Sequence, residues 1–477
     1  MAATRKQVKA SKSGSSTARS GATEPLAIDG GPKAFPARTG KAQPKLRVEE
    51  FMSIAERFGF KPEALARIRE AISNDDFTGG GPNLARYVSP VPELTKGPKF
   101  EALGREKFGV KHALGVSSGT GALHSAFVAV GVGPGTEVIC PGIGFEATAG
   151  AVVLAGGVPV FCDVDESLHI DPRKIEALIT PRTVAVAPTH HWGGVADMDG
   201  VLAVARRRGL KVVEDCAQSP GARYHGRYVG TMGDVGCFSI SAYKIIGGGE
   251  GGMVITNDQR LFDRICQCAE FGGLWRPDRF APPRYEGELF PGANYRLSEL
   301  EAAVDVVQLA RLDDVVAGFR AVSRRVRRQL RTFREIVPQK SNDPDGDIGY
   351  VLRFFPATHD LSARICRALA AEGISAATRG RKHKPDGHMW AGMYPIILRT
   401  GHIKGGSVFE DPRYIARGGR SEYKPDDCPV ARDLFGREVE IWLDQWYSPK
   451  DCDRIAHGIN KVLSAYATPD PSAARWL

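Results

Sequence analysis

HALGVSSGTGALHSAFVAVGVGPGTEVICPGIGFEATAGAVVLAGGVPVFCDVD, residues 112–165, decides the fold. HALGVSS (112–118), EVICP (137–141) and VPVFCDVD (158–165) are short apolar runs of strand length. Between them lie helical stretches, GTGALHSAFVAVGV from Gly119 and EATAGAVVLAG from Glu146. Strands that alternate with helices predict a mostly parallel sheet covered on both faces. The series continues through TVAVAPTH (183–190), a helix around Val201–Arg208, KVVEDCA (211–217) and VGCFSIS (235–241). In such sheets ligands lie beyond the carboxyl ends of the strands, so the chemistry is sought there.

Outward from this core the pattern changes. Helical periodicity covers Glu49–Ile72, and a Gly-rich turn follows at Gly79–Pro82. A helix over Ser298–Leu312 precedes an Arg-rich helix over 315–333. From Gly349 the sequence reads as a smaller α+β unit, with a strand at Tyr350–Phe355 and helices at Leu361–Glu372 and Pro449–Tyr466. Between them, His383–Lys424 is polar, Gly-rich and without a period. The expected organisation is a disordered basic tail over 1–25, a large α/β domain over 26–315 and a smaller α+β domain over 316–477.

The net charge of +9 is concentrated. Arg5, Lys6, Lys9, Lys12 and Arg19 face only Glu24 in the tail, and further cations cluster at Arg206–Arg208 and Arg324–Arg328 in amphipathic helices. Such clusters read as solvated helix faces, and no nucleic-acid recognition motif accompanies them. No run reaches the ~20 apolar residues of a membrane span. Nine cysteines without a C-x-x-C pair fit a reducing compartment and no zinc site, and the expected location is the cytoplasm.

Four strand-end positions carry groups with chemistry. Ser118-Gly119-Thr120 opens a helix, whose free N–H groups suit a phosphate. Asp215 ends a buried strand, where a carboxylate needs a partner such as a protonated ring nitrogen; a purely structural acid is the alternative. Ser239 offers a hydroxyl, and Lys244 precedes the loop GGGEGG; a lysine there can bond a cofactor aldehyde or simply sit on a surface turn. Phe145 follows a strand and can stack on a planar ring or pack in the core.

Taken together, SSGTGALHSAFVAVGVGPGTEVICPGIGFEATAGAV (117–152), PTHHWGGVADMDG (188–200), VVEDCAQSPGARYHGRYVGTMGDVGCFSISAYKIIGGGEGGMVITND (212–258) and NYRLSELEAAVDVVQLARLD (294–313) resemble the DegT/DnrJ/EryC1/StrS aminotransferases. The resemblance implies the aspartate-aminotransferase fold (fold type I) and pyridoxal 5'-phosphate as cofactor. It implies Lys244 as the Schiff-base lysine, Asp215 as partner of the pyridine nitrogen and Gln218 near the ring hydroxyl. Gly119, Thr120 and Ser239 resemble the phosphate binders, Phe145 the stacking aromatic, and Asn294 an asparagine reaching the phosphate from a second subunit. A homodimer with a shared active site follows. His190 also matches a family position, without an assigned task. The implied reaction moves an amino group from glutamine or glutamate to a keto-sugar or ketocyclitol, in amino-sugar, aminocyclitol or secondary-metabolite biosynthesis. LAIDGGPKAFP (26–36) resembles the ketocyclitol branch, whereas Ser241 stands where His or Asn is common. Two alternatives are a sugar dehydratase of the same fold, whose family members replace the lysine with histidine, and a non-catalytic regulatory protein, which would have lost Lys244 or Asp215.

Overall fold

The structure is a computed structural model that describes residues 24–37, 39, 45–77, 82, 84–87, 92–380, 387–420 and 422–476. The basic tail, Gly79–Gly81 and part of the 383–424 segment lie outside the described residues. The chain divides into two compact units, Met1–Pro82 and Asn83–Leu477.

The first unit carries two helices where the sequence suggests one. Val48–Arg57 ends at Phe58, and Pro62–Ala71 starts with proline in its first turn, after an extended Lys61. Proline forfeits an N–H and biases its predecessor away from helix, so the apolar period survives the break while the helix does not.

The second unit is built on a seven-stranded sheet. Its strands are β1 (His112–Val116), β2 (Glu137–Pro141), β3 (Val158–Cys162), β4 (Thr183–Val186) and β5 (Lys211–Asp215). A two-residue hairpin, β6 (Arg223–Tyr224) with β7 (Arg227–Tyr228), interrupts the series before β8 (Val235–Ser239) and β9 (Gly252–Thr256). The order is β1-β9-β8-β5-β4-β2-β3. All neighbours run parallel except β9, which is antiparallel to β1 and to β8. β2, β3, β8 and β9 are buried along their whole length, which is why they read as continuous apolar runs.

A second sheet of three antiparallel strands, β10 (Ile336–Pro338), β11 (Val351–Pro356) and β12 (Val439–Trp442), has its own core against the helices His359–Ala371 and Pro449–Tyr466. The described part of 383–424 consists of short helical turns, Trp390–Gly392, Tyr394–Ile397, Val408–Glu410 and Pro412–Ile415. It is pinned to the large sheet by Tyr414, wholly buried, whose hydroxyl reaches Glu137 at 3.1 Å. Eight of the nine cysteines are buried and all are free thiols. No helix among the described residues is long and apolar enough to cross a membrane.

Candidate active site

The carboxyl ends of β1, β5 and β8 present the groups singled out from sequence. After β1, Ser118 caps the helix Gly119–Ala129: its hydroxyl accepts the Gly121 N–H at 3.0 Å. A β-carbon on Gly119 would lie 2.7 Å from the Cβ of Ser239, so the glycine is required for Ser239 to approach the helix amino terminus. A serine hydroxyl beside open helix N–H groups, with Thr120 exposed on the first turn, makes a cradle suited to a phosphate.

Asp215 closes β5 and is buried. Its carboxylate accepts the Thr148 hydroxyl at 2.5 Å and the Ala217 N–H at 3.0 Å, which fixes its orientation without a cation. Lys244 is half-buried; burial lowers its pKa, and the charge of Asp215 opposes that shift. Strand-end placement thus brings an oriented acid and an amine of reduced basicity together.

Gln218 is buried, its side-chain oxygen accepting the Trp192 N–H at 3.2 Å and its carbonyl accepting the Tyr350 hydroxyl at 2.8 Å. Lys244 and Gln218 both line a cleft of about 880 Å³ whose other walls include Trp192, Tyr350, Arg379, His388, Glu440 and Trp442. Phe145 is 42% exposed, with its ring centroid 5.3 Å from that of His388. Asn294 is exposed on a bridge to Glu270 and does not line this cleft.

His190 is placed differently. It is fully buried and bonds Glu214 at 3.1 Å, while its other ring nitrogen accepts the Ala196 N–H. Burial alone would raise the Glu214 pKa, but His190 and the N–H groups of Gly230, Met232 and Gly233 hold it below its usual range. Ligating atoms of His190, Glu214 and Cys216 lie within 4.8 Å of one another. Both Glu214 oxygens are already engaged, so this is a hydrogen-bonded core network.

Sequence reasoning missed the opposite wall. Arg353, 1% exposed on β11, pairs with Glu438 at 3.2 Å and Glu440 at 3.0 Å, and Arg379 pairs with Glu438. The Arg353 guanidinium carbon stands 3.4 Å over the Trp192 ring, whose other neighbours include Phe435, stacked at 5.8 Å. Trp192 itself adopts φ +48°, a left-handed backbone that costs a bulky residue about 1–3 kcal/mol. The pair of buried glutamates and the arginine over the ring hold it there. The dipeptide His191-Trp192 was visible in sequence, but its partners lie more than 150 residues away.

Residues 90–379 match the DegT/DnrJ/EryC1/StrS aminotransferase family. The chain is 43% identical over 221 residues to GDP-perosamine synthase of Caulobacter vibrioides, covering 46% of this chain and 58% of that one. It is 45% identical over 211 residues to L-glutamine:2-deoxy-scyllo-inosose aminotransferase of Streptoalloteichus tenebrarius, covering 43% of this chain and 50% of that one. These matches span only about half the length of each relative. Among solved structures, S. venezuelae DesV in complex with a ketimine intermediate superposes with a TM-score of 0.62 at 28% identity, over 78% of this chain and 89% of that one. A helix-end cradle that excludes a side chain at Gly119, an oriented buried carboxylate and a desolvated lysine fit pyridoxal 5'-phosphate, the cofactor of this family. The chain belongs to the DegT/DnrJ/EryC1/StrS family and is a fold type I, pyridoxal-phosphate-dependent aminotransferase.

Proposed function

We propose that this enzyme moves an amino group from glutamine or glutamate to a keto-sugar or ketocyclitol, as a cytoplasmic homodimer with shared active sites. The observation that carries the reading is Lys244, half-buried on the wall of a large cleft, lowered in basicity by burial and facing the charge of Asp215. The two relatives, one named for a nucleotide-linked amino sugar and one for a cyclitol, support both acceptor classes.

When bound, the cofactor supplies an aldehyde that gathers the donor's amine and a ring that takes up charge from the adjacent carbon. The residues do the rest. In this reading Gly119, Thr120 and Ser239 hold the phosphate, and Asn294 of a second copy adds to that hold. Asp215, kept in orientation by Thr148 and Ala217, faces the ring nitrogen. Phe145 covers the ring and Gln218 sits by its hydroxyl. Lys244, neutral, takes the proton from the donor's α-carbon and later delivers one to the acceptor carbon. The balance is an exchange: the donor's C–NH₂ becomes C=O, and the acceptor's C=O becomes C–NH₂, with no outside oxidant. Arg379 and Glu440 put opposite charges on the far wall of the cleft, where an acceptor's polar groups would lie.

The test is the visible absorption of the purified holoenzyme, before and after adding glutamine or glutamate without acceptor. The expected result is a band that is absent in Lys244→Ala and is bleached by one of the two donors. A band that persists in Lys244→Ala, or one that neither donor alters, overturns the reading. Dehydration is disfavoured by the presence of Lys244 itself, and a non-catalytic role by the retention of Lys244 and Asp215 together.

A further inference from the structure

The Arg-rich helix Leu312–Arg327 does more than present a solvated face. Arg320, Ser323, Arg324 and Arg327 are spaced three, four and seven apart and therefore share one side of the helix. That side lines a second cavity, of about 450 Å³, which is distinct from the cleft holding Lys244. Its other walls come from the Trp192–Val195 turn, the Val337–Asn342 segment and Arg475 with Trp476.

The cations of this cavity are poorly matched. Arg320 donates only to backbone carbonyls, to Asp347 at 2.8 Å and Gly346 at 2.6 Å. Arg327 donates to the Ser323 hydroxyl at 3.1 Å and, at 3.4 and 3.5 Å, to the carbonyls of Trp476 and Val351. Neither forms an ion pair among the described residues. Burial lowers the pKa of both, and Arg223 and Arg324 add like charge beside Arg320. Arg324 and Lys340 do have partners, Asp345 and Asp165, and Arg475 lies exposed at the wall. The acids lining the cavity are Glu166 and Asp347. One Asp347 oxygen accepts the Ser341 hydroxyl at 2.5 Å; the other is buried near the Val195 N–H without a well-aligned hydrogen bond. Burial raises the Asp347 pKa to about 6, with Arg327 opposing and Asp343 assisting.

We propose that this cavity binds a small polyhydroxylated anion, its charged group seated between Arg320 and Arg327 and a hydroxyl donating to the under-satisfied oxygen of Asp347. Guanidinium groups satisfied only by neutral acceptors have N–H capacity and full charge left for a phosphate or carboxylate. The under-satisfied Asp347 oxygen asks for a donor, which a sugar hydroxyl supplies and a sulfate ion lacks. The apolar walls, Val337, Ile348 and Val351 among them, suit the carbon body of such a ligand. A sugar phosphate and a sugar acid share this chemistry and differ only in the anionic group.

Calorimetric titration of the holoenzyme with glucose 6-phosphate, gluconate, inorganic sulfate and glucose tests the assignment. The expected result is saturable binding of glucose 6-phosphate or gluconate, at least about tenfold tighter than either inorganic sulfate or glucose. Whichever of the two binds tighter identifies the anionic group. Arg320→Gln should weaken that binding by about tenfold or more, since it removes a charged donor. Arg475→Gln, at an exposed position, keeps the test open if Arg320→Gln fails to fold, and should weaken binding by a smaller factor. Binding that is unchanged in both variants, or the lack of saturable binding of either polyhydroxylated anion at millimolar concentration, overturns the proposal.

Discussion

Around the cleft, the two sheets of the second unit handle charge in opposite ways. On the seven-stranded sheet, Asp215 and Ser239 stand at strand ends, as does the turn carrying Ser118 to Thr120, and a helix amino terminus or a turn lies at hand. A polar group there meets unused N–H groups, so Asp215 is held by neighbours rather than by an ion pair. On the three-stranded sheet, charge sits within the strands: Arg353 in β11 meets Glu440 in β12 and Glu438 just before it, all buried. Charges so placed persist only when paired. The first arrangement leaves groups open for chemistry; the second consumes its charges in holding one wall of the cleft in shape.

The largest expected effect that would break this contrast is on Lys244. Lys244→Ala should lose roughly 10²–10⁴-fold in amino-transfer rate, the usual scale of one acid–base group, with unfolding by urea little changed. Arg353→Met should do the reverse. It leaves Glu438 and Glu440 with only Arg379 beside them, one buried charge uncompensated, and should cost about 3–5 kcal/mol in a urea titration, while the fraction still folded keeps its visible band. A catalytic loss in Arg353→Met that precedes any loss of stability would erase the distinction. Asn294→Ala sharpens the picture at an intermediate scale: on the proposed role of Asn294 from a second copy at the phosphate, its removal should weaken cofactor retention by about 1.5–3 kcal/mol, read by dialysis against cofactor-free buffer.

The smallest effect, taken per pH unit, concerns an exception on the large-sheet side. Asp305 is fully buried in the helix Glu299–Ala310, neither oxygen has a hydrogen-bond partner, and burial beside Glu301 pushes its pKa up to about 8. A β-carbon on Gly248, in the loop after Lys244, would meet oxygens of both acids at 2.5 Å. Between pH ~4 and pH ~8 only the folded state holds this proton, so wild-type stability falls as pH rises, by at most about 1.4 kcal/mol per pH unit. Asp305→Asn should flatten that slope and gain on wild type up to pH ~8, as thermal melts across pH would show.

The same contrast explains what could be read from sequence. Each strand-end group lies within a few residues of the apolar run that positions it, so Gly119, Asp215, Ser239 and Lys244 stood out together. Tyr350, Arg379, Glu440 and Trp442 reach the cleft from distant segments, and a glutamate inside the short strand VEIW disguises β12. β9 was hidden for another reason, since GMVIT follows directly on the glycine loop. In 387–420 the glycines and prolines leave turns too short for any period, although Phe409 and Tyr414 anchor them in the core.

Trp192 belongs to the wall of both cavities. A partition common to two chambers carries a thermodynamic obligation. If an occupant of one chamber shifts the balance between two positions of the indole, the affinity of the other chamber changes by the same factor, and the influence runs equally in reverse. A side chain already held against its backbone preference is well placed to have two such positions. The indole would then act as a two-way messenger between the chamber where nitrogen changes hands and the one that faces the arginine helix.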